Sequence, residues 1–319
     1  MIHFNFKKEV LDADQRIRNH IRQTPLEYSF YLSRLGSCHV YLKLEIMQIT
    51  NSFKLRGAMS KLYSLEKREL EQGVVTASSG NHGIAFAYVV KNLGCQGTVY
   101  LPKNTSSSKI EALKYYDVEL KYYGYDCVQT EAFAKKTAVK NNQPYISPYN
   151  DQKVIGGQGT IALELTKQLN SIDAVLVPVG GGGLISGISG FLKSKNPNIK
   201  IIGCQPQNSA VMYESIKAGQ IMDIQSIPTI SGGTAGGIEP GAVTFDICKK
   251  HTDDFILVSE EKIKKAICTI AEKHFYLLEG AGALSVASFI KHKKKFANQT
   301  VVLILSGARI SLKDLKNIL

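Results

Sequence analysis

Strand-like and helix-like segments alternate along almost the entire chain. Runs rich in valine, leucine and isoleucine are predicted as strands at residues 39–44, 74–76, 97–101, 118–123, 174–179, 199–204, 254–258 and 300–305. Segments with helical periodicity separate them, at residues 12–22, 52–65, 81–92, 107–115, 128–141, 157–169, 185–194, 260–274 and 280–292. This alternation predicts an α/β fold in which parallel sheets carry helices on both faces.

Composition excludes several classes of protein. The net charge is +12, but only seven of the 39 basic residues are arginines and the lysines are spread along the chain, which argues against nucleic-acid binding. The six cysteines lack Cys-x-x-Cys spacing and the seven histidines lack metal-ligand spacing, so no metal site is predicted. No apolar run reaches the roughly 20 residues that cross a bilayer, and no signal peptide is visible, so a cytoplasmic protein without membrane contact is expected.

Four consecutive glycines, Gly180 to Gly183, follow the predicted strand 174–179 and precede the predicted helix 185–194. Without side chains in the turn, backbone N–H groups can converge on an anion at the start of the helix, and a phosphate is the expected ligand. The alternative is a tight turn that binds nothing, although one glycine would suffice for that. Neither a dinucleotide-binding motif nor a P-loop can be drawn through the run.

Three further motifs fall at strand ends or helix starts. The segment 78–83, Ser-Ser-Gly-Asn-His-Gly, offers several hydrogen-bond donors for a carboxylate, or it is merely a helix cap formed by Ser79 or Asn81. Ser306 ends the predicted strand 300–305, and Lys54 lies at the polar entry to a helix, where taken alone it would be an ordinary surface amine. Since ligands bind at the carboxyl ends of parallel strands, one cleft is predicted to hold a phosphate, a carboxylate and a reactive amine.

In this order the motifs resemble those of fold type II pyridoxal-phosphate (PLP) enzymes, close to the serine/threonine dehydratase and serine racemase branch. The resemblance rests on Ser-Phe-Lys-Leu-Arg-Gly-Ala at 52–58, the segment 78–83, the glycine run and the segment 151–164, and it covers nearly the whole length. It implies a two-domain fold like that of the tryptophan synthase β subunit, with a mostly parallel sheet flanked by helices in each domain. Residues 1–65 and 149–319 would form the large PLP-binding domain and residues 66–148 the small one, with the active site in the cleft between them.

The resemblance also implies a role for each motif. Lys54 would form the Schiff base with PLP and, together with Ser79, act in catalysis. The glycine run would hold the phosphate, Asn81 the ring hydroxyl, and Ser306 would face the ring nitrogen. The implied cofactor-binding residues are Phe53, Lys54, Asn81, Gly180, Gly181, Gly182, Gly183, Leu184, Glu279 and Ser306. The implied binding residues for the substrate carboxylate are Ser78, Ser79, Gly80 and His82.

The activity implied by the resemblance is β-elimination on L-threonine or L-serine, which yields 2-oxobutanoate or pyruvate and ammonia. The alternatives are an amino-acid racemase acting on serine, or a dehydratase of another 3-hydroxy amino acid such as 3-hydroxyaspartate or phenylserine. A non-catalytic PLP-binding or amino-acid-sensing protein is disfavoured because Lys54, Asn81 and Ser306 are all present. The expected partners are a small amino-acid substrate and a second copy of the chain in a homodimer.

The sequence departs from the family pattern at three places. Gln205 and Val211 stand where the racemase pattern has acidic ligands of a divalent cation, which disfavours such a site. The segment 231–241 begins Ser-Gly-Gly in place of Ala-Asp-Gly and is rich in glycine, which predicts either a flexible loop or a remodelled substrate pocket. Arg309 replaces a usual asparagine. Because the pattern ends near Leu319, no C-terminal regulatory domain is expected.

Overall fold

The structure, a computed structural model, describes residues 4–125, 127–224 and 227–318, and within these ranges helices separate most successive strands. The elements are α1 Phe6–Ile17, β1 Leu26–Tyr28, α2 Phe30–Gly36, β2 His39–Lys43, α3 Lys54–Leu62, α4 Lys67–Glu71, β3 Val74–Ala77, α5 Asn81–Leu93, β4 Gly97–Leu101, α6 Ser107–Lys114, β5 Glu119–Tyr122, α7 Cys127–Lys140, α8 Gln152–Gln168, β6 Ala174–Pro178, α9 Gly183–Lys195, β7 Lys200–Pro206, α10 Val211–Ala218, α11 Val243–His251, β8 Asp254–Val258, α12 Glu260–His274, α13 Gly280–His292, β9 Thr300–Ile304 and α14 Leu312–Lys316. Short 3-10 turns occupy Glu45–Met47, Gln207–Ser209 and Lys293–Phe296.

The larger sheet has six strands in the order β1-β2-β9-β6-β7-β8. All neighbours are parallel except β1, which runs antiparallel to β2 at one edge. The central strand β6 is buried on both faces: Leu176 packs with α12 and α13, whereas Val175 and Val177 pack with α8 and α9. Strands buried on both sides read as continuous apolar runs, which is why the sequence pattern locates them well.

The smaller sheet has three parallel strands in the order β3-β4-β5. Helices α3, α5 and α6 pack on one face, and α7 packs on the other. Helix α3 also packs along α8 and therefore lies between the two sheets. Because Lys54 is the first residue of α3, its position depends on both packing surfaces.

The predicted parallel α/β fold is confirmed, and each of the predicted strands is present with its ends shifted by two residues at most. The three-residue edge strand β1 and the helices α2, α4, α10, α11 and α14 were not predicted. The predicted helix at residues 12–22 is wrong in position, since α1 spans Phe6–Ile17. The Asn5 side chain caps its start by accepting a hydrogen bond from the Lys8 N–H at 3.0 Å, and Val10, Ala13 and Ile17 form its buried stripe.

The predicted domain boundaries, at residues 65/66 and 148/149, fall between the strands of the two sheets: β3 to β5 all lie within 66–148. The division into two domains at these positions stays a prediction. No helix in the described part of the chain is long and apolar enough to span a membrane.

Candidate active site

The start of α3 is joined directly to the segment that follows β9. The Phe53 N–H donates to the Ser306 carbonyl at 3.1 Å, the Ala308 N–H donates to the Asn51 carbonyl at 3.0 Å, and Ser52 and Gly307 form an antiparallel bridge. This pairing holds Lys54 beside the carboxyl end of β9. Two motifs far apart in sequence are therefore brought together, as the sequence predicts.

Lys54 occupies a largely desolvated position. Its Nζ donates to the Pro148 carbonyl at 2.8 Å and lies 5.2 Å from the centroid of the Phe53 ring. Burial lowers the pKa of Lys54 to about 8, although the carboxyl groups of Glu131 and Glu279 act in the opposite direction. More of this amine is unprotonated at neutral pH than of a solvated lysine, which favours both nucleophilic attack and proton abstraction.

The glycine run forms the turn between β6 and α9. Gly182 has φ +88°, a left-handed conformation that glycine adopts without strain, and a Cβ on Gly181 would lie 2.6 Å from the Tyr149 ring. Among the described residues, none accepts a hydrogen bond from the backbone N–H groups of residues 180–184. Five successive free donors at a helix N-terminus suit a phosphate group.

The segment 78–82 follows β3 and opens α5. The Gly80 N–H donates to the Ser78 hydroxyl at 3.2 Å, while a Cβ on Gly80 would meet no atom within 4 Å. Ser79 is half-buried in the same loop. Backbone N–H groups in the first turn of a helix have no partner within the helix, so those of Asn81 and His82 can bind an anion.

The His82 ring points into the protein rather than into this loop. It is buried, and its Nε2 donates to the Ile146 carbonyl at 3.0 Å. Burial and the Lys54 charge lower the pKa of His82 to about 3, so the ring is neutral at physiological pH. Any contact of His82 with a substrate carboxylate would therefore use its backbone N–H.

Asn81 and Glu279 meet next to Gly307. The Asn81 Nδ2 donates to Glu279 Oε1 at 2.6 Å, and a Cβ on Gly307 would collide with that carboxyl oxygen. Burial raises the pKa of Glu279 to about 7, against the opposing effects of Asn81 and Arg309. Arg309, whose role the sequence left open, therefore lies near the Glu279 carboxyl group.

Comparison with known proteins identifies the family. The sequence profile of the family described as pyridoxal-phosphate dependent enzyme matches residues 17–307. This chain belongs to that family. It is 37% identical to the catabolic L-threonine dehydratase TdcB of Escherichia coli (strain K12) over 97% of this chain and 94% of the relative.

Solved structures of family members have the same fold. The processed form of threonine deaminase isoform 2 from Solanum lycopersicum superposes with a TM-score of 0.93 at 33% identity, covering 100% of this chain and 93% of that one. Maize serine racemase superposes with a TM-score of 0.92 at 30% identity, covering 98% and 95%. The predicted PLP cofactor, the fold type and the assignment as a PLP-dependent lyase are thereby confirmed.

The backbone and side-chain groups around Lys54 in this PLP-dependent enzyme fit the cofactor. The free N–H groups at 180–184 match a phosphate, Lys54 supplies a desolvated amine, and Phe53 lies beside that amine. Ser306 is buried at the carboxyl end of β9, and Asn81 is fixed by Glu279. The structure brings these residues to one region, while their individual roles remain predictions.

A group of polar residues that no sequence motif indicates surrounds Glu239. The Glu239 carboxyl group accepts from Asn150 Nδ2 at 2.5 Å and pairs with Lys135 Nζ at 2.9 Å, and the Glu239 N–H donates to the Tyr149 hydroxyl at 2.8 Å. Burial raises the pKa of Glu131, one helical turn before Lys135, to about 7, against the effect of Lys54. The one available signal was that Glu239 is the only acidic residue in the glycine-rich segment 231–241.

Gln205 is buried where the racemase pattern has an acidic ligand. Its Oε1 accepts a hydrogen bond from the Tyr213 N–H at 2.9 Å, which anchors the first turn of α10. Within the described ranges, no group of three or more histidine, cysteine, aspartate or glutamate side chains is arranged to hold a metal ion.

Proposed function

We propose that the protein is a threonine/serine ammonia-lyase. It would remove the α-proton and the 3-hydroxyl group of L-threonine or L-serine as water, and hydrolysis of the released product would give 2-oxobutanoate or pyruvate and ammonia. The observation that carries the proposal is the desolvated Lys54, held beside Ser306 by backbone pairing, in a chain 37% identical to a catabolic L-threonine dehydratase.

The groups around Lys54 have separate tasks in this reaction. The free N–H groups at 180–184 hold the cofactor phosphate, and the N–H groups of the segment 78–82 orient the substrate carboxylate. Bound PLP supplies an electron sink for the charge that develops at the α-carbon. The Lys54 amine, in its free and unprotonated form, would take the α-proton; with a pKa of about 8, part of the free amine is unprotonated near neutral pH.

The direct test uses purified, PLP-loaded protein with L-threonine and L-serine, and measures 2-oxo acid release. We expect 2-oxobutanoate from threonine, pyruvate from serine, or both. Lys54→Ala should lower turnover by about 10²–10⁴-fold because the proton acceptor is lost.

Lys61→Ala is the matched control, since Lys61 lies on the same helix and pairs with Asp151 at 2.9 Å at its far end. It should keep wild-type turnover. No 2-oxo acid from either substrate, with PLP verified as bound, would exclude the proposal.

Racemisation of serine is the second candidate, and the superposition on maize serine racemase at a TM-score of 0.92 favours testing it. Chiral analysis of serine recovered from the same incubation separates the two activities. D-serine formed faster than pyruvate would make the racemase the principal activity.

The glycine-rich segment 231–241 motivates a wider panel of substrates. Glu239, within this segment, contacts Asn150 and Lys135, and Asn150 lies two residues after Pro148, whose carbonyl accepts from Lys54. Both enantiomers of 3-hydroxyaspartate and phenylserine should therefore be assayed beside threonine and serine. A higher kcat/KM for one of them would reassign the preferred substrate without changing the reaction type.

We also propose a cytoplasmic homodimer with the two domains predicted from the sequence, which rests on the family resemblance alone. Light scattering of the purified protein after size-exclusion chromatography tests the oligomeric state. A monomer at micromolar concentration would contradict it.

A further inference from the structure

Arg56, two residues after Lys54, is fully buried and every N–H group of its guanidinium is used. It donates to Glu45 through Nε and Nη2 at 2.8 and 2.9 Å, and to Glu164 through Nη1 and Nη2 at 2.6 and 3.0 Å. Nη1 also reaches the Thr160 hydroxyl at 3.1 Å. Two carboxylates are therefore each bound at both oxygens by one planar cation, a geometry that lysine cannot reproduce.

A second buried cation completes the group. Lys43 Nζ donates to Glu164 at 2.5 Å, to the Thr24 carbonyl at 2.8 Å and to Gln168 at 3.0 Å. We call Lys43, Glu45, Arg56 and Glu164 the Arg56 cluster. Its two positive and two negative charges balance, so the cluster can lie in the interior without a net charge.

The cluster is tied to the elements that carry the active-site groups. Glu45 begins the turn after β2, in which the Ile46 N–H donates to the Leu305 carbonyl at 3.1 Å, next to Ser306. Glu164 belongs to α8, which begins just after the segment whose Pro148 carbonyl accepts from Lys54. Arg56 therefore connects the helix of Lys54 to both of its neighbours.

We propose that Arg56 is a positioning residue that fixes the start of α3, and hence the Lys54 amine, relative to Ser306 and the segment 148–150. Residues two apart on a helix point about 200° away from each other, so Arg56 holds the rear of the helix while Lys54 faces the cleft. Buried ion pairs add little net stability compared with apolar packing. Here their paired geometry joins α3 to α8 and to the turn after β2. Displacements of about 1 Å at a reacting group cost rates of about 100-fold.

The first test is Arg56→Lys, which keeps the charge and loses both paired contacts. We expect kcat to fall at least about tenfold with a much smaller change in KM, because the reacting amine is misplaced while the N–H groups that bind substrate remain. Only this kinetic result rests on the proposed function.

The second readout needs neither substrate nor cofactor. Competitive acylation of the apoprotein across pH, with mass-spectrometric quantification at Lys54, reports the pKa of that amine. A displaced helix start exposes Lys54 to water, so its pKa should rise from about 8 towards the ordinary value of 10.5.

Arg16→Lys is the matched control. Like Arg56, Arg16 is an arginine that contacts α3, but it is only partly buried. It donates to the Ser60 hydroxyl near the end of α3 at 3.1 Å and to Glu9 of its own helix at 2.9 Å. It should lower the melting temperature and leave both kcat and the Lys54 titration unchanged.

Thr160→Val covers the case in which Arg56→Lys does not fold. It removes one hydrogen bond to Arg56 at nearly constant volume, and should shift kcat and the Lys54 titration in the same direction by a smaller amount. The proposal would be overturned if kcat and the pKa of Lys54 were both unchanged in Thr160→Val and, if it folds, in Arg56→Lys. Arg56 would then have a stabilising role only. An inactive wild type would refute the proposed function, while the Lys54 titration would still decide on Arg56.

Discussion

Two sets of charged residues lie on opposite sides of helix α3, and they differ in how their charges are satisfied. In the Arg56 cluster each carboxylate is paired, and Glu45 and Glu164 raise the pKa of Arg56 in spite of its burial. On the cleft side, burial raises the pKa values of Glu131 and Glu279 to about 7. The charges of the Arg56 cluster are paired with one another and define the architecture. The carboxyl groups on the cleft side can exchange protons near neutral pH, as catalysis requires.

The largest expected effect comes from breaking the Arg56 cluster. Glu164→Ala leaves two cations buried without their shared carboxylate, and should lower the free energy of unfolding by about 3–5 kcal/mol, measured by urea denaturation. Glu119→Ala is the control, since its pair with Lys121 at 2.9 Å is exposed and should contribute less than about 1 kcal/mol. Equal losses of unfolding free energy in the two variants would contradict the distinction between buried and exposed ion pairs.

A smaller effect is expected from Glu279→Gln in the apoprotein. The folded-state pKa of about 7 lies above the ordinary 4.5, so this group contributes stability that is complete below about pH 4.5 and is lost as the pH rises towards 7. Urea denaturation at several pH values in this window measures the free energy of unfolding. Between its two ends this free energy should fall by about 1–3 kcal/mol more in the wild type than in Glu279→Gln. Parallel pH profiles would show that Glu279 titrates normally.

The smallest expected effect is that of Glu131→Gln on Lys54. The Glu131 carboxylate raises the pKa of Lys54, so its removal should lower that pKa further, by up to about one unit, in the acylation experiment on the apoprotein. Glu111→Gln, on the exposed face of α6, should leave the titration unchanged. A raised pKa of Lys54 in Glu131→Gln would contradict the proximity of the Glu131 carboxylate to the Lys54 amine.

The sequence predicts the parts of this molecule that follow from local pattern. Strands β6 and β9 are continuous apolar runs because both of their faces are buried, and the glycine run identifies its own turn. The edge strand β1 has only three residues, of which none is fully buried, and no pattern distinguishes it from a loop. Helix α1 was misplaced because its start depends on the Asn5 cap among charged residues.

The site was predictable where one motif carries its own chemistry and unpredictable where residues act through distant partners. Lys54, Asn81 and Ser306 belong to recognisable segments. Arg56 lies in the same segment as Lys54, but no local pattern indicates its partners Glu45 and Glu164, the latter 108 positions along the chain. Glu131 reads as a solvated helix residue, and only its burial in the fold raises its pKa.

We propose that Lys54, among the 32 lysines of the chain, is the covalent anchor of PLP. Borohydride reduction of the PLP-loaded protein, followed by proteolysis and mass spectrometry, locates the anchoring lysine directly. We expect a single pyridoxyl adduct on the peptide that contains Lys54, and no adduct in Lys54→Ala. An adduct on another lysine, or PLP bound without a reducible link to any lysine, would contradict it.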